Sequence, residues 1–261
     1  MYLDPGGAGL VVACDSLGGI GPKPQDSYAC PGAVSGHFAA RVPLLEVLCA
    51  GARPVALIDA LCVEADPTGR EMIDAIRALA TEAGIAPEAV TGSTEENVPT
   101  VATGIGVTVL GVRRPEPPSP GGAHPGDVVV CAGLPLSAPE HHVTVGHPDV
   151  VAMGDLVRVV GSGLVHDALP VGSRGIGYES DQLAATAGLA FRAAAGVHGP
   201  DPSASAGPST CVLLACAAED ADAVAAMFPE RLPVARIGVL EAPGEPGPEG
   251  SGPEGSGPEG S

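Results

Sequence analysis

Apolar positions along this chain fall into short runs broken by glycine and proline, and two spacings alternate. Alternating or unbroken short apolar runs predict strands at Leu10–Cys14, Pro54–Leu61, Ile105–Val112, Asp127–Ala132, Val157–Val160 and Thr210–Ala215. Helical spacing predicts Ser35–Ala50, ending at Gly51, with Pro43 inside it to shift its start or kink it. A second helix opens on the capping-box pattern Thr68-Gly-Arg-Glu71. It carries Met72, Ile73, Ile76, Leu79, Ala80 and Ala83 on one face and stops at Gly84. Ser180–Ala195 and Glu219–Phe228 read as two more helices. Strands and helices mix without a regular βαβ alternation, which predicts an α+β fold.

The pattern divides into parts. Residues 1–114 form a first unit and residues 115–126 a Pro/Gly-rich connector; residues 127–240 form a second unit. Residues 241–261 are a tail ending in three Gly-Pro-Glu-Gly-Ser repeats, with nothing apolar to offset the entropy of ordering. Aromatics make up only 2% of the 261 residues, so a core must be built from Val, Leu, Ile and Ala. A formal charge of −19 repels nucleic-acid backbones and anionic membranes, so an anionic substrate needs a metal or a local cation. Seven cysteines with no Cys-x-x-Cys pair read as reduced core thiols, Cys14, Cys49 and Cys62 among them. The start lacks a signal-peptide pattern, and no apolar run reaches the roughly 20 residues of a membrane span. The expected compartment is the cytoplasm.

Two loops carry the densest chemistry. Asp15-Ser-Leu-Gly-Gly-Ile-Gly-Pro-Lys23-Pro-Gln-Asp26 follows the first strand and holds the only lysine, against eleven arginines. Gly92-Ser-Thr-Glu-Glu-Asn-Val-Pro99 precedes the Ile105 strand. Carboxylates in glycine-rich turns suit Mg²⁺ and exposed backbone N–H groups suit phosphate, though the Walker A spacing is absent. Asp15 fits either an Asx-turn or a metal site. Prolines on both sides stiffen Lys23, as suits a phosphate-facing ammonium, and a solvated turn lysine is the plainer alternative. Glu46 lies in an almost wholly apolar helix, where it must be paired, metal-bound or on the one wet face. Glu95 and Glu96 form either a solvated acidic turn or one metal ligand beside one structural acid. His142 and His147 are loop histidines open to ligation or to solvent. Arg174 in Pro170-Val-Gly-Ser-Arg-Gly-Ile-Gly-Tyr-Glu179 can clamp a phosphate or carboxylate, with a tight connector before the next helix as the plainer alternative, and Ser203–Thr210 is a small-residue loop where backbone can approach a ligand.

These segments together resemble the ATP-binding superfamily of aminoimidazole ribonucleotide synthase, thiamine monophosphate kinase, selenophosphate synthetase and a hydrogenase maturation factor. The strongest segment is residues 36–54. There Glu46 takes the place of a metal-binding Asp and Pro43 that of an Asn, ahead of the Gly51-Ala-Arg-Pro54 turn. Asp15 matches the Asp of a Thr-Asp motif, and Gly92-Ser93-Thr94 matches a Gly-Asp-Thr loop. Within the superfamily the chain looks most like the α-ribazole kinase branch, through residues 15–23, 92–100, 169–177 and 205–211.

The resemblance implies a mostly antiparallel first-unit sheet that pairs with a second copy into a dimeric barrel, with an α/β second domain over the cleft. It implies ATP and Mg²⁺ as cofactors and phosphoryl transfer to a small nucleoside, α-ribazole. Asp15, Glu46 and Glu95 or Glu96 would hold the metal. Lys23, Gly18, Gly19, Gly21, Gly92, Thr94 and Arg174 would contact the nucleotide. Lys23 and Asp26 would serve the chemistry, Asp26 by orienting the acceptor hydroxyl. Pro43 and Ser93 depart from the family pattern. Thiamine monophosphate phosphorylation and non-catalytic nucleotide binding are the alternative readings.

Overall fold

In the computed structural model, which describes residues 1–4, 9–116, 118–194 and 199–243, the two units each build one five-stranded sheet. The Gly-Pro-Glu-Gly-Ser repeats lie outside the described residues. The first sheet runs β1 (Tyr2–Leu3), β2 (Leu10–Gly18), β7 (Gly104–Arg113), β5 (Ala52–Leu61), β6 (Val90–Thr94), in that spatial order. Its pairings are antiparallel except for β5 with β6. A short parallel pair, β3 (Ile20–Gly21) and β4 (Tyr28–Ala29), extends from the end of β2. The second sheet is antiparallel throughout, in the order β10 (Ala190–Ala193), β12 (Val234–Glu241), β8 (Val128–Ala132), β11 (Val212–Cys216), β9 (Val165–Pro170).

Between the sheets lies α1 (Gly32–Cys49), which is buried on almost every side. Such a helix has no polar face because it is a core element for both units. It packs on β2, β7 and β5 of the first sheet and on β9 of the second. Pro43 sits inside it without ending it. α2 (Arg70–Glu82) crosses α1 closely: a Cβ on Gly36 would stand 2.5 Å from the Met72 carbonyl oxygen. The largest buried cluster runs without a break from Val11, Leu57 and Val109 through Leu44 and Leu48 to Leu156, Val165 and Leu214. α3 (Met153–Val160), α4 (Gly175–Thr186) and α5 (Ala221–Ala226) complete the second unit.

Four expectations are corrected. Residues 157–160 are the end of α3, since Met153, Leu156, Val159 and Val160 form one buried helical stripe; the strand lies after Gly163, at β9. The helix expected over 180–195 starts earlier and ends at Thr186, and β10 follows Gly188, which has φ +71°. The Thr68 capping box does not form, because its hydroxyl donates to the Glu64 carboxylate instead. Cys14, on the outer face of β2, and Cys62, just past the end of β5, are exposed and not the core thiols expected, while the other five thiols are buried.

Candidate active site

A groove follows one stripe of α1. Ser35, Phe38 and Ala39 line its first half and Val42, Glu46 and Cys49 its second, positions that helical geometry places on one side. The first half is a cavity of about 360 Å³ closed by Leu17, Gly18, Tyr28, Val34 and Val143, with Asp15 and Ser137 as polar points. The second half is a cavity of about 500 Å³ between α1 and the β9–α4 region, lined by Asp167, Tyr178, Glu179, Gln182 and Ser209. The loop 207–209 passes between the halves, Gly207 and Pro208 facing one and Ser209 the other.

That loop is held in a specific shape. Ser209 has φ 56°, a left-handed conformation that residues with a Cβ seldom adopt. Its carbonyl oxygen accepts from Nε of Arg41 at 3.0 Å, and Arg41 is itself only 1% exposed. Burial lowers the Arg41 pKa to about 10, and its Nη2 has no partner among the described residues. The Thr210 hydroxyl donates to the Leu134 carbonyl at 2.8 Å and accepts from the Leu136 N–H at 2.9 Å, tying the same loop to the turn after β8.

Acids concentrate along the groove. Asp15 follows Val11 and Ala13 on the α1-facing side of β2. The Glu46 carboxyl reaches solvent within the groove, but the walls strip enough water to raise its pKa. The charges of Asp15 and Glu179 add to that rise, against the Met1 ammonium. Burial likewise raises Glu179, partly offset by the Gly172 N–H and by Arg174. Asp167 is raised to about 6 by burial, although the N–H groups of Gly121, Ala168 and Gly122 hydrogen-bond to it. Carboxylates gathered in a half-dry groove repel one another, and a hard divalent cation with its oxygen preference relieves that repulsion. Asp15 and Glu46 therefore fit Mg²⁺.

The remaining sequence candidates separate from this pair. Glu95 and Glu96 lie past the end of β6, at the far edge of the sheet from β2. Glu95 accepts from the Asn97 and Val98 N–H groups at 2.7 and 3.2 Å. Glu96 accepts from the Ala65 N–H and the Thr94 hydroxyl, both at 2.8 Å, and these bonds hold its pKa below the usual carboxylate range. β6 ends at Thr94, so the chain turns away before either acid can face α1. Lys23 pairs with Glu64 rather than facing the groove, and this pairing with the Thr68 hydroxyl pulls Glu64 down to about 2. Asp26 ties its own loop together, accepting from the Lys23 N–H at 2.8 Å and from the Thr103 N–H and hydroxyl at 2.6 and 2.7 Å.

The glycines divide in the same way. Gly18 borders the first cavity, and a Cβ there would meet nothing within 4 Å. Gly19 makes the turn into β3 with φ +68°. Gly21 closes on Thr103, where a Cβ would stand 2.4 Å from Oγ1. Gly92 is a glycine for a reason internal to the sheet: a Cβ there would lie 2.0 Å from Oδ1 of Asp59. Asp59, Val107 and Asp15 occupy one cross-strand row with Gly92, so Asp59 lies two strands, about 10 Å, from Asp15. Arg174 begins α4 with its guanidinium 3.7 Å above the Tyr178 ring, and Tyr178 lines the second cavity. The sequence reading missed Asp167, Glu179 and Arg41. An Asp inside the apolar run Val165–Pro170 was the available signal for Asp167, hidden by the misplaced strand.

Residues 2–113 match the family described as AIR synthase related protein, N-terminal domain. No curated protein matches the sequence. Among solved structures the chain is similar to hydrogenase maturation protein HypE in complex with ATP, with TM-score 0.64 and 19% identity over 90% of this chain and 78% of that one. It is similar to thiamine-monophosphate kinase from Stenotrophomonas maltophilia K279a, with TM-score 0.61 and 19% identity over 89% of this chain and 82% of that one. T. maritima PurL complexed with AMPPCP gives TM-score 0.59 and 16% identity over 90% of this chain and 40% of that one. At these identities the likeness to solved structures is one of fold; the family match over residues 2–113 agrees with the superfamily expected from the motifs.

Proposed function

We propose that this protein is an ATP-dependent kinase acting on a small nucleoside, and that its reaction takes place in the groove along α1. The observation that carries the reading is that Asp15, on the wall of the apolar cavity, lies near enough to Glu46, on the wall of the acid-lined one, for its charge to add to the rise in the Glu46 pKa. The fold's solved relatives include a HypE–ATP complex and a thiamine-monophosphate kinase. α-Ribazole is the acceptor that the motif resemblance favours.

Asp15 and Glu46 would hold Mg²⁺, which would supply charge neutralisation for the transferred phosphoryl group. Phe38, Leu17 and Tyr28 offer apolar and aromatic surface for a ring in the first cavity. Gly18 leaves room there for close approach of the backbone. The loop 207–209, fixed by Arg41, would offer a shaped stretch of backbone to a ligand lying along the groove. Asp167, buried at the second cavity's wall on a rigid strand, is placed to position the acceptor hydroxyl, the role first expected of Asp26. Arg174 on Tyr178 lies at the same cavity's rim and suits a substrate contact. Positioning of this kind is most of what phosphoryl transfer requires from a protein. Two copies would pair through the outer face of the first sheet.

Lys23 bound to Glu64 leaves the groove without that cation, which favours non-catalytic Mg·ATP binding as the second reading. ADP release measured with Mg·ATP against a panel holding α-ribazole, other nucleosides and thiamine monophosphate separates the two. Acceptor-dependent ADP release with the nucleoside supports the kinase. Stoichiometric Mg·ATP binding with no release for any acceptor rejects it.

A further inference from the structure

Outside the groove, three potential ligands converge where the connector meets the second sheet. Nδ1 of His124 lies 3.2 Å from Nδ1 of His166, which lies 2.9 Å from Oδ2 of Asp127. The remaining side of this triangle, His124 Nδ1 to Asp127 Oδ2, is 3.9 Å. Among the described residues these are the ones whose ligand atoms group in this way.

Two imidazole nitrogens that face each other can share only one proton, and both also face a carboxylate oxygen. That oxygen already accepts the His124 N–H at 2.8 Å. Metal–ligand bonds of about 2.0–2.1 Å at tetrahedral angles place ligand atoms roughly 3.3 Å apart, the average edge of this triangle. We infer that His124, Asp127 and His166 form a site for a borderline divalent metal of the Zn²⁺ type. Two nitrogens and one oxygen suit such an ion and not Mg²⁺, which prefers oxygen throughout.

The frame is rigid on two sides and open on the third. Asp127 is 4% exposed and stands at the foot of β8, where its carbonyl accepts the Leu240 N–H at 2.8 Å. His166 belongs to β9, and β11 lies between the two strands with Cys216 paired to both Val128 and Val165. The Cys216 thiol donates towards the Val128 carbonyl oxygen. The His124 side chain is 67% exposed, which leaves the fourth coordination position to water. His124 comes from the connector, whose Ser119 N–H donates to the His166 carbonyl at 3.0 Å and whose Gly121 N–H donates to Asp167 at 2.8 Å. A metal here staples the connector onto β9, next to the acid that walls the groove.

The test is calorimetric titration of Zn²⁺ into the metal-free full chain, freed of any purification tag and kept in excess Mg²⁺. Co²⁺ absorption in the visible range follows as the geometric readout. One equivalent of Zn²⁺ should bind, with the bands of a four-coordinate Co²⁺ site. His124→Ala and His166→Ala should each weaken binding by at least about tenfold. The double variant His142→Ala/His147→Ala should bind as wild type. Substoichiometric binding, unchanged affinity in His124→Ala, or loss in the His142/His147 variant would each overturn the assignment. His124 is exposed, so its variant retains the fold and gives a result even where His166→Ala does not fold.

Discussion

At the scale of single residues, the charge state of the groove is the quantity to measure. Glu46 is held above its ordinary pKa by burial and then by Asp15, so removing its charge relieves a repulsion present only in the metal-free protein. Glu46→Gln should therefore raise the melting temperature without Mg²⁺, abolish the further rise produced by Mg·ATP, and lower turnover by a hundredfold or more, as an order of magnitude. A variant that melts higher yet keeps the nucleotide-induced shift would remove Glu46 from the metal site. His37 gives an independent readout. Burial first, and then the neighbouring Arg41, lower its pKa from 6.5 to about 4. Above 6.5 the imidazole is neutral folded or unfolded and costs nothing. As pH falls from 6.5 to 4 the unfolded chain binds the proton first, so stability is lost across that window, by up to about 3 kcal/mol. Urea unfolding of wild type and His37→Gln between pH 7.5 and 4.5 should give a constant difference above pH 6.5 and, below it, a progressive loss of wild-type stability relative to the variant. Parallel curves would show that the ring is solvated.

At the scale of elements, close contacts decide more than propensity does. Gly92→Ala places a methyl 2.0 Å from the Asp59 carboxylate and 2.4 Å from the Asp59 carbonyl oxygen. It should destabilise the first sheet by about 2 kcal/mol or more, with only partial rescue by Asp59→Ala, because the carbonyl remains. Full rescue, or no cost at all, would mean that β5 and β6 are not in this register. The same contact explains what could be read in advance. The face Met72, Ile76, Leu79 and Ala80 was legible because it repeats along one helix, and β2, β5 and β7 were legible because they alternate against a core. Gly92 was expected to let backbone approach the nucleotide, not to neighbour Asp59, since parallel pairing across 33 positions leaves no local mark. Residues 157–160 misled because Val-Arg-Val-Val has strand propensity, while the stripe that makes it helical begins at Met153. Asp15 stood out as an acid opening a glycine-rich turn after a strand, and Glu46 as an acid in an apolar helix; the fold sets both along α1. Glu95 and Glu96 resembled them in composition, but backbone N–H groups occupy them and β6 stops short of the groove.

At the scale of the molecule, the outer face of the first sheet is the surface left to account for. An antiparallel sheet with one solvated face ordinarily alternates apolar inward with charged or polar outward. Here the outward positions of the three central strands include Val12, Cys14, Ser16, Ala56, Ile58, Ala60, Thr108 and Leu110, and the one charge on this face of those strands, Arg53, stands at the very start of β5, in a chain of net charge −19. A cavity of about 370 Å³ lies open on this face between Cys14, Ile58 and Thr108. Pairing of two copies through it would cover Cys14, which is exposed in the single chain. Reaction with an aromatic disulfide reagent should then modify fewer than two thiols per chain rapidly, with Cys14 protected, and sedimentation should give the mass of a dimer. Ile58→Asp sets a charge in the middle of the face, which should yield monomers in which Cys14 reacts as fast as a small-molecule thiol while the buried cysteines stay silent. If wild-type Cys14 reacts at that rate in a sample sedimenting as a dimer, the copies meet through some other surface, and the barrel expected from the motifs is not how this chain assembles.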